Sequence, residues 1–235
     1  MATTHRPKVR RKDLKQPDEF MTVATTVEDF IEEHLNKVIA GAVAVLAFAA
    51  ALFLIYEHVQ TVKQRAAEQF YEPFSALNSK DYKSAEGKFE ALIASHPSSN
   101  AAALARYYLG LAYFNSGDLT HAGQALQEYT RGQGPQSFRE LALMDLGVVY
   151  EQSGEYAKAV ETYRRAAALN GPEANNARVA VARVFQLEGK RDAAISAYRD
   201  FLKANPYAAQ RETVVQALAN LGVSAPSPGG PTSAP

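Results

Sequence analysis

The pattern of apolar and polar positions changes character three times along the chain. From Thr26 onward, Val27, Phe30, Ile31 and Leu35 recur at i, i+3, i+4 and i+8, the spacing of one helix face. Thr26 stands at the N-cap position, and Glu28 and Asp29 fall in the first turn, where the helix dipole favours anions. The alternation then stops. Residues 38–56 read VIAGAVAVLAFAAALFLIY, with no charge and no proline. At about 1.5 Å per residue this run spans roughly 28 Å, close to the hydrocarbon thickness of a bilayer. A buried core helix of that length keeps a polar stripe, and this run has none. A cleavable signal sequence fits less well. The run lies 37 residues from the start, and Leu52-Phe53-Leu54-Ile55 carries it past the small-residue site Ala47-Phe48-Ala49. The pattern predicts a short amphipathic helix over 26–37 and a single transmembrane helix over 38–56.

Past the apolar run a longer period takes over. Leu109-Gly110 and Tyr113 are followed by Gly117-Asp118 and Ala122. Leu146-Gly147 and Tyr150 are followed by Gly154-Glu155 and Ala159. Val181-Ala182 and Phe185 are followed by Gly189-Lys190 and Ala194. Each unit closes near a proline: Pro135, Pro172 and Pro206. A small residue suits the point where two helices touch, and an aromatic fills the gap one turn later. A glycine before a polar residue accepts the left-handed turn that ends the first helix, and a proline stops the second. Three copies of one repeating unit are expected over 103–207.

Asp81-Tyr82, Ala85, Phe89 and Pro97 match only the second half of this pattern. The stretch before them contains Pro73 and lacks the Leu-Gly pair, so 57–102 reads as a neck helix plus a degenerate unit. Val214, Val215, Leu218 and Leu221 place one apolar face on a final helix within 208–222, as the open end of a stack requires. The Pro, Gly and Ser-rich segment 223–235 and the basic segment 1–25 read as disordered tails.

This repeat resembles the tetratricopeptide (TPR) family, whose unit is an antiparallel helix pair. The resemblance implies an all-α fold in which the pairs stack into a right-handed superhelix behind the transmembrane helix. It also implies that the first helices line a concave groove that binds protein partners. Carried onto this register, the groove positions are Leu104, Tyr107, Leu111 and Phe114, then Leu141, Met144, Val148 and Glu151. The third repeat supplies Asn176, Val179, Arg183 and Gln186. That set is mostly apolar with a polar edge, and lacks the Lys and Asn arrangement with which chaperone-binding members clamp a terminal carboxylate. Such an apolar face calls for a protein partner or for self-association into a homo-oligomer.

Charge and candidate chemistry narrow the reading further. Lys and Arg number 25, as do Asp and Glu. The balance holds on both sides of the apolar run, which argues against nucleic acid as a partner. There is no Cys, hence no disulfide framework, thiol nucleophile or thiolate metal site. His5, His34, His58, His96 and His121 form no i, i+4 pair, and no phosphate loop or nucleophile elbow occurs. No catalytic residue, metal site or cofactor is expected. Arg6, Lys8, Arg10, Arg11, Lys12, Lys15 and Lys37 precede the apolar run, whereas only Lys63 and Arg65 follow it closely. That asymmetry predicts a cytoplasmic N-terminus and, in a bacterium, a periplasmic repeat domain.

This architecture resembles the ancillary SecYEG-translocon-subunit family of bacterial inner-membrane proteins. The resemblance implies a membrane-anchored scaffold that assists protein translocation or periplasmic chaperoning. The alternative is an assembly scaffold for a cell-envelope complex, in polysaccharide export or cell division.

Overall fold

The computed structural model describes residues 34–132 and 136–226. Every regular element among these residues is a helix. In chain order they are α1 (Leu35–Asn78), α2 (Tyr82–Ser95), α3 (Asn100–Ser116), α4 (Leu119–Arg131) and α5 (Gln136–Gln152). There follow α6 (Tyr156–Ala168), α7 (Ala174–Leu187), α8 (Arg191–Ala204) and α9 (Arg211–Asn220). The basic tail expected over 1–25 and most of the amphipathic helix expected over 26–37 lie outside the described residues, as do residues 227–235.

The chain divides into two compact units, Met1–Val59 and Gln60–Pro235. In the first, the described residues belong almost entirely to the apolar part of α1. Its large side chains are bare: Leu46 is 70% exposed, Phe48 67% and Leu54 67%. Among the described residues α1 is the one helix long and apolar enough to cross a membrane. Pro73 lies inside the same helix, buried.

The second unit is a row of antiparallel helix pairs, and local chemistry accounts for each boundary. Asp81 caps α2 by accepting from the Ser84 amide at 3.3 Å, and Ser99 caps α3 by accepting from the Ala102 amide at 3.0 Å. Asp118 does the same for α4 through the His121 amide, at 3.0 Å. Gly117, Gly154 and Gly189 follow the three first helices with φ of 88°, 72° and 79°, a left-handed conformation that side chains resist. Where the paired helices touch, the small positions are filled to contact. A Cβ on Gly110 would sit 2.6 Å from Leu126 Cγ, and one on Gly147 would overlap the Tyr163 ring. Ala182, the third small position, is fully buried.

Neighbouring pairs share one run of apolar packing, beginning with Ala66, Ala85 and Phe89 and ending with Phe201, Val214 and Leu218. The three late aromatics of the first helices reach back to the preceding second helix. The Tyr113 hydroxyl donates to Glu90, Tyr150 accepts from Gln127 Nε2 at 3.2 Å, and Arg164 lies 6.0 Å over the Phe185 ring. At the far end α9 buries Val214 and Leu218, and Val215 and Leu221 pack partly against the same cluster. The polar tail expected from residue 223 does not leave at once. Val223 and Ala225 also pack on that cluster, and the Pro226 carbonyl accepts from Arg211 at 3.4 Å.

Candidate functional site

The predicted groove residues sit on α3, α5 and α7, and their exposure varies along the row. Leu104, Leu111 and Phe114 are half-buried, as are Met144, Val148 and Val179. Leu141 is 40% exposed. Asn176, Arg183 and Gln186 are exposed. Tyr107 is the exception, withdrawn into the core at 7% exposure. Its ring lies 5.6 Å from both Tyr129 and Phe138, and its hydroxyl donates to Asp145 Oδ2 at 2.9 Å. It offers little surface because the hydroxyl finds its partner on the next first helix.

Four polar bonds join one helix to another along this row. The Tyr107–Asp145 bond joins α3 to α5. Burial raises the Asp145 carboxyl above its ordinary range; the Tyr107 hydrogen bond opposes this, and nearby Glu173 adds to it. Between α5 and α7, Arg183 Nη1 lies 2.8 Å from Glu151 Oε1, while Glu151 Oε2 accepts from the fully buried Tyr163 hydroxyl at 3.1 Å. Burial, then the Glu151 charge, pushes the Tyr163 phenol well above its ordinary range, so it stays a donor. Between α7 and the capping helix, Gln210 Nε2 donates to Asn176 Oδ1 at 2.7 Å.

The last segment of the groove opens into a recess of about 520 Å³ between α7, α8 and α9. Val179, Arg183 and Gln186 form one side, and Thr213, Ala217 and Asn220 face them one repeat length later. Tyr198 and Leu187 complete the lining with Gln216. Sequence reasoning missed the α9 half of this recess. Continuing the same register past Pro206 would have found it, but a helix read only as a cap hides its own groove face. Also missed was Asp145, which has no repeat counterpart to mark it.

Among the described residues no three His, Asp or Glu side chains are grouped to hold a metal ion. The arrangement pairs its titratable groups with one another and leaves apolar and amide surface facing outward.

The comparisons with known proteins agree with this geometry. The model of the tetratricopeptide repeat-like domain family matches residues 28–223. A crystal structure of nearly identical TPR-like repeats from Podosopora anserina has a TM-score of 0.55 at 16% identity, covering 68% of this chain and 86% of that one. The MamA protein gives 0.53 at 19% identity over 67% of this chain and 83% of its own. A tetratricopeptide repeat protein from Parabacteroides merdae gives 0.56 at 18% identity, over 68% of this chain and 60% of that one. No curated protein matches the sequence significantly. At these identities the solved structures speak for the fold alone, whereas the family match takes in the greater part of the sequence: the chain belongs to the tetratricopeptide repeat-like domain family.

Proposed function

We propose that this protein is a scaffold anchored in a bacterial inner membrane by the apolar part of α1. Its repeat groove holds a partner protein on the periplasmic side and assists protein translocation or periplasmic chaperoning. The observation that carries the reading is the bareness of that apolar stretch: none of its most hydrophobic window is buried by the protein. Leaving so many aliphatic and aromatic side chains in water costs about 25 cal/mol per Å², so a hydrocarbon environment is their natural partner. The family match begins at residue 28 and therefore takes in the apolar segment together with the repeats. A binding role rather than a catalytic one follows from the half-exposed apolar residues of α3 and α5, with Leu141 foremost.

The test has two arms. Alkaline carbonate extraction should leave the full chain in the membrane pellet, and a reporter active only in the periplasm should be active when fused after Pro235. Release into the supernatant overturns the anchor, and an inactive fusion overturns the topology. Mild crosslinking through Leu141 identifies the partner. Recovery of translocon subunits or secreted clients supports the translocation role, and recovery of envelope-assembly enzymes alone replaces it with the assembly-scaffold alternative.

A further inference from the structure

Resting on the membrane-anchor reading, we infer that one edge of the repeat row is a docking surface for anionic phospholipid headgroups. Helices that alternate in direction place the α2–α3, α4–α5, α6–α7 and α8–α9 turns along the same edge. Each turn is clamped by an arginine of the helix that follows it. Arg106 Nη2 donates to the Pro97 carbonyl at 3.4 Å, and Arg139 Nη2 to that of Gly132 at 3.2 Å. Arg178 Nη2 donates to Asn170 Oδ1 at 3.0 Å, and Arg211 Nη1 to the Pro206 carbonyl at 3.5 Å. These acceptors are neutral, so the guanidinium charges stand in a row, one per turn. None of these arginines takes part in an ion pair among the described residues. The turns themselves contain a single carboxylate, Glu173, whose Oε2 already accepts from Asn176 Nδ2 at 2.6 Å. Next to the arginines in sequence stand Glu140, buried against Gly171, and the exposed Glu212, which offsets part of the Arg211 charge.

The opposite edge is neutralised. At the starts of α2, α6 and α8 its cations close onto carboxylates: Lys83 with Glu86, Lys158 with Glu155 and Lys190 with Glu188. The zero net charge of the chain therefore hides a segregation between two edges. Basic residues that end α4, α6 and α8 do not alter this, because Glu128, Glu161 and Asp200 precede them by one turn. Position selects the partner. Gln69 of α1 bonds His96 on the arginine edge at 3.1 Å, whereas α1 ends at Asn78 on the neutralised edge. The repeat unit is thus entered from the arginine side, at Gln60, shortly after the apolar run ends at Tyr56. That link spans at most about 15 Å, so the entry stays near the membrane surface however the two units are arranged. A guanidinium fork matches phosphate oxygens in pairs, and a row of them meets a sheet of headgroups at several points at once.

The experiment uses the full-length protein in vesicles of phosphatidylcholine, with or without phosphatidylglycerol, doped with a lipid carrying a nitroxide on its headgroup. The chain has no Cys, so Tyr207→Cys and Ser153→Cys each carry a single dye at an exposed position, one on either edge. Quenching of the dye at position 207 should rise roughly twofold or more on the anionic vesicles, as attraction of arginines to an anionic surface requires. The dye at position 153 should not respond. Raising salt to about 1 M, where the Debye length falls to about 3 Å, should remove the difference. Replacing Arg106, Arg139, Arg178 and Arg211 with Gln should remove it too, whereas Lys at the same positions should keep it. If the Gln variant fails to fold, the salt and Lys arms decide. Equal quenching on both lipids, equal quenching at both edges, or persistence in a folded Gln variant overturns the proposal. Binding of poly-glutamate without any lipid dependence assigns the edge to an acidic protein and overturns the lipid assignment. Flotation separates the two readings. Protein that floats with both vesicles but shows no lipid dependence removes the edge alone, whereas protein that floats with neither removes the anchor as well.

Discussion

The hydroxyl of Tyr163, a residue with no solvent exposure, donates to Glu151 Oε2 at 3.1 Å, and the other oxygen of Glu151 holds Arg183 of the next repeat at 2.8 Å. One carboxylate thus ties the two helices of the second repeat together and couples that repeat to the third. In a linear stack each repeat touches only its neighbours, so such a tie contributes to the interface on which cooperative folding depends.

Removing different parts of this triad should have graded effects on stability. Tyr163→Phe should cost about 1 kcal/mol, because Glu151 keeps Arg183. Glu151→Ala should cost about 1–3 kcal/mol, because it leaves the inner hydroxyl without an acceptor. Arg183→Ala should stay within about 1 kcal/mol, since the guanidinium is half solvated. Urea unfolding would measure all three. Equal losses for Arg183→Ala and Glu151→Ala would count against the ordering.

The glycines divide into two kinds with opposite signs. Gly110→Ala and Gly147→Ala drive a methyl into Leu126 and Tyr163 respectively and should each destabilise by about 1–3 kcal/mol. Gly87 lies within α2, where an added Cβ would meet nothing within 4 Å, and at Gly123 the nearest atom to an added Cβ is Val149 Cγ1 at 3.6 Å. Gly87→Ala and Gly123→Ala should therefore stabilise by roughly 0.5–1 kcal/mol through helix propensity. Thermal melts of the four variants decide it.

Asp145 predicts a pH dependence. Its carboxyl is raised above the ordinary aspartate range in the folded protein, by burial first. The folded state therefore binds this proton more tightly than the unfolded state. The resulting contribution is most favourable below the unfolded pKa and is lost as pH rises through the raised folded value. Asp145→Asn keeps an acceptor for the Tyr107 hydroxyl but removes the charge. It should flatten that decline and raise stability at neutral pH relative to the native chain. Urea midpoints measured from acid to neutral pH would show both effects, and an Asn variant that is less stable at neutral pH would refute the burial argument.

If α1 enters a bilayer, two arginines in its apolar stretch should expel it. Ala47→Arg with Leu52→Arg costs about 2.5–3.5 kcal/mol per charge on insertion scales. Carbonate extraction should then find the protein in the supernatant. Retention in the pellet would mean that something other than this helix holds it there.

Much of the fold was legible in the sequence because its signals are local. Gly117, Gly154 and Gly189 announce left-handed helix ends by residue type alone, and the apolar run announces itself by the absence of any charged side chain. The surroundings of the candidate site residues were legible only in part. Val179, Arg183 and Gln186 do gather in one recess, yet Tyr107 from the same register lies buried. A repeat register says which way a side chain points. It does not say whether a neighbouring ring covers it, as Phe138 and Tyr129 cover Tyr107. The packing of Val223 and Ala225 was equally invisible, since a Pro, Gly and Ser-rich composition gives no sign of the apolar cluster waiting at the end of the stack.

By itself the sequence determined that the repeat region is helical, that its helices pair and stack, and that one stretch is apolar enough for a membrane. Periodicity, turn chemistry and hydrophobicity are properties of neighbouring residues and survive reading in one dimension. Only the tertiary structure decided that Glu151 serves Tyr163 and Arg183 at once, that Asp145 is half-buried beside Tyr107, and that α9 lends a second wall to the groove. Those relationships join residues from different helices. Their energies depend on distance and on exclusion of water, and neither quantity exists until the helices have packed.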